Sequence, residues 1–186
     1  MTAALKWSID SDDWNLLGFE HVSGHHVDYS PGSPDLAKLV DSMRTLQELP
    51  CPAVDLKLAE KRWASFSDTP DLFAGDHLLH TEWSPSNVLV NDTALFVDWA
   101  WATRGAAWID PACWVVWLIA SGHPPQDAES WANQVPSWRS APANSLDAFA
   151  AAQAALWRGI AEADPEPWIE GIAAAARRWS ESRLTA

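Results

Sequence analysis

The sequence predicts an α+β fold that is mainly helical, in one domain. Three observations support this. Two pairs of short apolar runs, one near the N-terminus and one at mid-chain, flank clusters of turn formers, which is the pattern of β-hairpins. Elsewhere apolar residues recur at spacings of three and four, as on one face of a helix. No internal repeat or low-complexity linker divides the 186 residues, a length that suits one domain with a sizeable core.

The first pair of runs, residues 6–9 and 14–20, is separated by Asp10-Ser11-Asp12-Asp13 and reads as a hairpin. Ser30-Pro31-Gly32-Ser33-Pro34-Asp35 announces a helix, with Ser33 as N-cap, Pro34 at the first helical position and Asp35 in the first turn. Leu36, Leu39, Val40, Met43 and Leu46 form its apolar face, and Pro50-Cys51-Pro52 ends it. A second helical stretch is expected over residues 56–66, carrying Leu58, Arg62 and Trp63. The mid-chain runs, residues 87–90 and 94–97, flank Asn91-Asp92-Thr93 and read as another hairpin.

Asp110-Pro111 opens the most apolar helix, residues 112–120, with Asp110 as its N-cap and Gly122 as its stop. A short helix over residues 126–134 and a loop over 136–144 follow. Ser145 then caps a helix reaching residue 163, Asp164-Pro165-Glu166-Pro167 breaks the chain, and a last helix spans residues 168–182. Arg177-Arg178 near its end reads as compensation of a helix dipole.

Composition narrows the function classes. Fourteen tryptophans in a chain that is 48% hydrophobic exclude a disordered class. Twelve Lys plus Arg stand against 25 Asp plus Glu, a net charge of -13. Such a balance repels phosphate backbones and anionic lipids, so neither nucleic acid nor membrane is expected as a partner, whereas a cationic small molecule would be attracted. Cys51 and Cys113 form no C-x-x-C pair, and a reduced, cytoplasmic protein is the simplest expectation. The first six residues carry no secretory pattern. The apolar run 114–120 stops at Ser121-Gly122-His123-Pro124, well short of the roughly 18 residues of a membrane span.

The segment from His77 to Asp110 carries the chemistry. Glu82, Asn87 and Asp98 stand at spacings of five and eleven, and the mid-chain hairpin would hold all three near its open end. A carboxylate to orient a hydroxyl, with an amide and a second carboxylate for Mg²⁺, is the minimal set for phosphoryl transfer. His80-Thr81-Glu82-Trp83-Ser84-Pro85-Ser86-Asn87, followed by Phe96-Val97-Asp98-Trp99 and Ile109-Asp110-Pro111-Ala112, resembles the catalytic segment of the aminoglycoside phosphotransferase family, relatives of protein kinases. The usual form there is H-G-D-x-x-P-x-N, then D-W or D-F after two apolar residues, then an Asp opening a long helix. Here Glu82 takes the place of the catalytic Asp and Thr81 that of the Gly.

The resemblance implies a protein-kinase-like C-terminal lobe, residues 24–186, joined to a remnant of the N-terminal lobe, residues 1–23. It implies transfer of the γ-phosphoryl group of ATP or GTP to a hydroxyl of a small molecule, often an aminoglycoside in that family. Glu82 would act on the hydroxyl, Asn87 and Asp98 would hold Mg²⁺, His80 would pack beneath the loop and Asp110 would brace its backbone. The carbonyl of Glu20 and the amide of Val22 would face the nucleotide base.

Other parts of such an enzyme are missing from the sequence. It contains no G-x-G-x-x-G, and Lys6 lies one strand too late for the usual phosphate-binding lysine. A catalytically inactive remnant that binds a small molecule or a partner protein is therefore the alternative. Two strands alone are marginal in water, so the N-terminal hairpin is expected to pair with a second copy or a partner chain through its edges. His77, His80 and Glu82 also allow a metal-cluster reading, which no H-E-x-x-H or Cys set supports. His25 and His26 read as exposed turn residues. The tryptophans at 99, 101, 108, 114 and 117 read as packing, with an aromatic cage for a cation as the other reading.

Overall fold

A computed structural model describes residues 2–185; Met1 and Ala186, the outermost members of the expected 1–23 and 24–186 units and, for Met1, of the segment read for a secretory signal, lie outside the described residues. Strands β1 (Leu5–Ser11) and β2 (Trp14–Phe19) pair antiparallel, as the paired runs predict. Asp12 turns between them at φ 49°, a left-handed conformation that Asp tolerates better than most residues. Every residue of β1 is exposed, and Trp14 in β2 is 73% exposed.

Strand β3 (His25–His26) lines up with β6 (Val88–Val90), which pairs with β7 (Ala94–Phe96). His25 and His26 are thus strand residues, not turn residues, because their backbones extend the mid-chain hairpin at Val90 and Leu89. Helix α1 (Asp35–Gln47) buries all five predicted apolar residues. Ser33 Oγ accepts from the Asp35 amide at 3.2 Å, and the buried Asp35 carboxylate takes the Asp28 amide and the His25 ring.

The expected helix over 56–66 is broken. Lys57–Leu58 forms β4, Ala59–Arg62 a single turn, α2, and Ala64–Phe66 a 3-10 turn. The backbone of 57–58 instead runs parallel to β8 (Thr103–Gly105), which also pairs with β5 (His77–Leu79). Pairing with a distant strand overrode a weak local helical pattern.

The C-terminal part is helical: α3 (Ile109–Ala120), α4 (Pro125–Ala132), α5 (Pro136–Ser140), α6 (Ala143–Ala163) and α7 (Pro167–Arg183). Three expectations change here. Residues 136–140 of the supposed loop are helical, started by Pro136 at a position that needs no N–H. Ser145 is buried inside α6 rather than capping it, because Pro142 supplies the first carbonyl, which accepts from the Ser145 and Leu146 amides. Asp110 lies within the first turn of α3 and does not cap it; its carboxylate is used elsewhere. The stop at Gly122 is as expected. With φ at 104°, the Gly122 amide donates to Ile119 and the His123 amide to Leu118, a Schellman closure.

Helix α3 is the axis of the core, with Ile109, Trp114, Val115, Leu118 and Ile119 fully buried. Helix α7 packs on it and on α6. Arg178 of α7 donates to the carbonyl of Ile119 at 2.9 Å, so it satisfies the C-terminal turn of a neighbouring helix rather than its own. Phe149 of α6 is ringed edge-on by Trp63, Phe73 and Trp108 at 5.0 to 5.5 Å. Helix occupies about 49% of the chain and the sheets are small, which makes the fold α+β. Among the described residues no helix is long and apolar enough to cross a membrane.

Candidate functional site

The loop between β5 and β6 is built around Asp110. One carboxylate oxygen accepts from the His80 amide at 3.0 Å, the other from the Thr81 amide at 2.8 Å and the Trp83 indole at 3.0 Å. The residues on both sides of Glu82 are therefore tied to α3, while Glu82, partly buried, turns to Arg62 instead. Burial pushes the Asp110 carboxyl above its ordinary value, and the N–H donors oppose that push. Thr81 sits at φ 65°, an outlier for a β-branched residue. Such strain costs on the order of 1–3 kcal/mol and persists where surrounding bonds over-determine it, characteristically at functional sites.

The same loop is joined to the mouth of the β6–β7 hairpin. His80 is buried among the rings of Trp83, Phe96 and Trp99, and its Nε2–H donates to the Val97 carbonyl at 2.8 Å. Its Nδ1 has no partner. Burial holds the imidazole below its ordinary pKa, so the ring is neutral. The Val97 amide in turn donates to the Asn87 carbonyl at 2.9 Å, so Asn87 and Asp98 occupy neighbouring positions across the hairpin. Asp98 is exposed at φ 59° and accepts the Ala100 amide at 3.3 Å. Glu82 is close enough to Asp98 for the two charges to repel.

Glu82 opens into a cleft of about 470 Å³ between α2, α3, α6 and the start of α7. Trp63 and Phe66, Trp117 of α3, and Leu156, Trp157 and Ile160 of α6 line it. Two lining side chains carry formal charge, Glu82 and Arg62. Arg62 Nη1 donates to Thr81 Oγ1, Thr103 Oγ1 and the Trp101 carbonyl, and Nη2 to Glu82 Oε1 at 3.5 Å. The guanidinium lies over the rings of Trp63 and Trp101 at 4.7 and 4.8 Å. Desolvation raises the Glu82 carboxyl; Arg62 pulls it down and Asp98 adds to the rise. A carboxylate raised in this way and set in an apolar cleft is suited to take a proton.

Mg²⁺ takes oxygen donors, often one or two carboxylates completed by water and substrate phosphates. Asn87 and Asp98 supply one amide oxygen and one carboxylate at the hairpin mouth, and the donor chemistry fits. The His77, His80 and Glu82 reading does not gather: His77 is exposed on β5 while His80 is committed to Val97. Among the described residues no cluster of three His, Cys, Asp or Glu forms a metal site. Glu20 continues the N-terminal hairpin, donating its amide to Ala4 and pairing its side chain with Lys6 at 3.5 Å; Val22 lies in the connection that leads to β3.

Sequence reasoning missed the role of Arg62 and read all five tryptophans alike as packing. Trp108 and Trp114 are core, and Trp99 packs on His80, but Trp101 and Trp117 line the cleft. Of the tryptophans offered for a cation cage, Trp101 has Arg62 over its ring, with Trp63 from outside that set beneath the same guanidinium. No local pattern reveals this, since Arg62 meets Thr81, Glu82 and Trp101 across about 20 to 40 residues of chain. Neither the family models nor the curated proteins nor the solved structures contain a match to this chain.

Proposed function

We propose that the chain is a kinase-like lobe that transfers the γ-phosphoryl group of ATP or GTP to a hydroxyl of a small molecule held in the cleft. One observation carries the reading: Glu82 faces an apolar cleft from a loop whose neighbouring residues are all tied to Asp110, with Asn87 and Asp98 at the adjoining hairpin mouth. Glu82 takes the proton of the acceptor hydroxyl as its oxygen bonds to the γ-phosphorus; the bond to the β-phosphate oxygen breaks and the nucleoside diphosphate leaves. Asn87 and Asp98 would hold Mg²⁺, which when bound neutralises phosphate oxygens. The Glu20 carbonyl and Val22 amide are the groups proposed to meet the base.

A second reading, binding without transfer, has its own support. Arg62 lies 3.5 Å from Glu82, and Lys6, the lysine of the N-terminal hairpin, is paired with Glu20 instead of being free for phosphates. In this reading the exposed β1 and β2, with Trp7 at 53% and Trp14 at 73%, would pair with a second copy. Light scattering that finds a monomer at micromolar concentration argues against that pairing.

Calorimetry with Mg-ATP and a phosphate-transfer assay on the wild type, Glu82→Gln and Asp98→Ala separate the readings. Transfer predicts nucleotide heat and a loss of turnover of about 10²–10⁴-fold in Glu82→Gln, with Asp98→Ala also impaired. No nucleotide heat and no turnover in any variant leaves binding alone.

A further inference from the structure

We infer that the cleft beside Glu82 takes a neutral molecule, an alcohol carried on an apolar ring body, and discriminates against cations. The inference rests on the reading of this cleft as the acceptor site. Aromatic walls by themselves suit either an apolar ring or a cation over the ring faces, so charge has to decide between them. The Arg62 guanidinium already lies over Trp63 and Trp101. It is held there by Thr81, Thr103 and the Trp101 carbonyl, with a side chain only 17% exposed. An entering ammonium would meet this fixed positive charge, and the one lining carboxylate that could compensate it, Glu82, is already offset by Arg62.

An anion fares no better. It would face Glu82, and Arg62 Nη1 and Nη2 already donate to the protein's own oxygens. A neutral alcohol avoids both costs. Its hydroxyl donates to the Glu82 carboxylate while its ring body removes apolar area of Trp117, Trp157 and Leu156 from water. The net charge of -13 would attract a cationic molecule, and the family resemblance implies an aminoglycoside, but that charge is spread over the whole chain. The cleft lining carries one charge of each sign.

A matched pair of probes tests this without nucleotide: 2-(2-naphthyl)ethanol and 2-(2-naphthyl)ethylamine, protonated at pH 7, titrated calorimetrically into the full chain, with kanamycin as a polycation. The alcohol is expected to bind at least about tenfold more tightly than the ammonium. Trp157→Ala is expected to weaken the alcohol several-fold, and Arg62→Met to shrink or reverse the preference as Glu82 loses its partner. Tighter binding of the ammonium or of kanamycin to the wild type overturns the inference, even if phosphate transfer is found. Equal binding of the pair, or no alcohol binding, overturns it as well. Alcohol preference in this titration, with no turnover in the separate phosphate-transfer assay, sinks the transferase reading and leaves the selectivity of the cleft standing as binding alone.

Discussion

Asp110 spends both carboxylate oxygens on its own chain, accepting the amides of His80 and Thr81 and the indole of Trp83. Replacing it with Asn would turn one acceptor into a donor aimed at buried N–H groups. A buried polar group left unsatisfied costs about 1–3 kcal/mol, so Asp110→Asn is expected to lower stability by about 2–3 kcal/mol in urea unfolding. His80 gives the pH dependence. Burial holds its folded-state pKa below 6.5, so the unfolded chain binds this proton more readily than the native one. Its contribution is complete above pH 6.5 and is lost as the pH falls through and below that value. Urea midpoints at pH 7.5 and 5.5 should therefore differ, with a smaller difference in His80→Gln.

Glycines in different elements carry opposite predictions. A Cβ on Gly75, just before β5, would lie 2.5 Å from the backbone of Gly105 and Ala106 at the end of β8. Backbone cannot swing aside as a side chain can, and overpacking costs about 1–3 kcal/mol. Gly75→Ala is expected at the upper end of that range in urea unfolding. Gly159 in α6 and Gly171 in α7 would meet nothing within 4 Å. Since Gly in a helix interior is about 0.5–1 kcal/mol worse than Ala, Gly159→Ala should raise stability by about that amount.

The elements also show which local signals survive folding. Pairs of runs around Asp12 and around Asn91-Asp92-Thr93 became hairpins, since the turn residues that close them are neighbours in sequence. The face of α1 is buried as its periodicity requires. Residues 57–58 went the other way because β8, some 46 residues distant, offered the pairing. Ser145 and Asp110 were read as caps from residue type alone. Each was displaced by a partner that the local pattern does not contain: the Pro142 carbonyl for Ser145, the residue 80–83 loop for Asp110.

For the whole molecule the excess of acidic residues sets the response to salt. A net charge of -13 repels itself in the folded state, and the Debye length falls from about 10 Å at 0.1 M to about 3 Å at 1 M. Thermal unfolding is therefore expected at higher temperature in 0.5 M than in 0.05 M NaCl. A fall in Tm with salt would mean that ion pairs such as Arg183 with Glu129 and Asp147 outweigh the net repulsion.

The sequence by itself determined the α+β class, the two hairpins, most of the helices and the order of Glu82, Asn87 and Asp98, because periodicity and turn chemistry act between residues close in the chain. Only the tertiary structure decided that Asp110 ties down the loop around Glu82, that Arg62 sits against Glu82 over two tryptophans, and that α6 walls the cleft. Those contacts join segments that lie from about 20 to nearly 100 residues apart, and their cause is the burial of charges and rings that must find partners once water is removed.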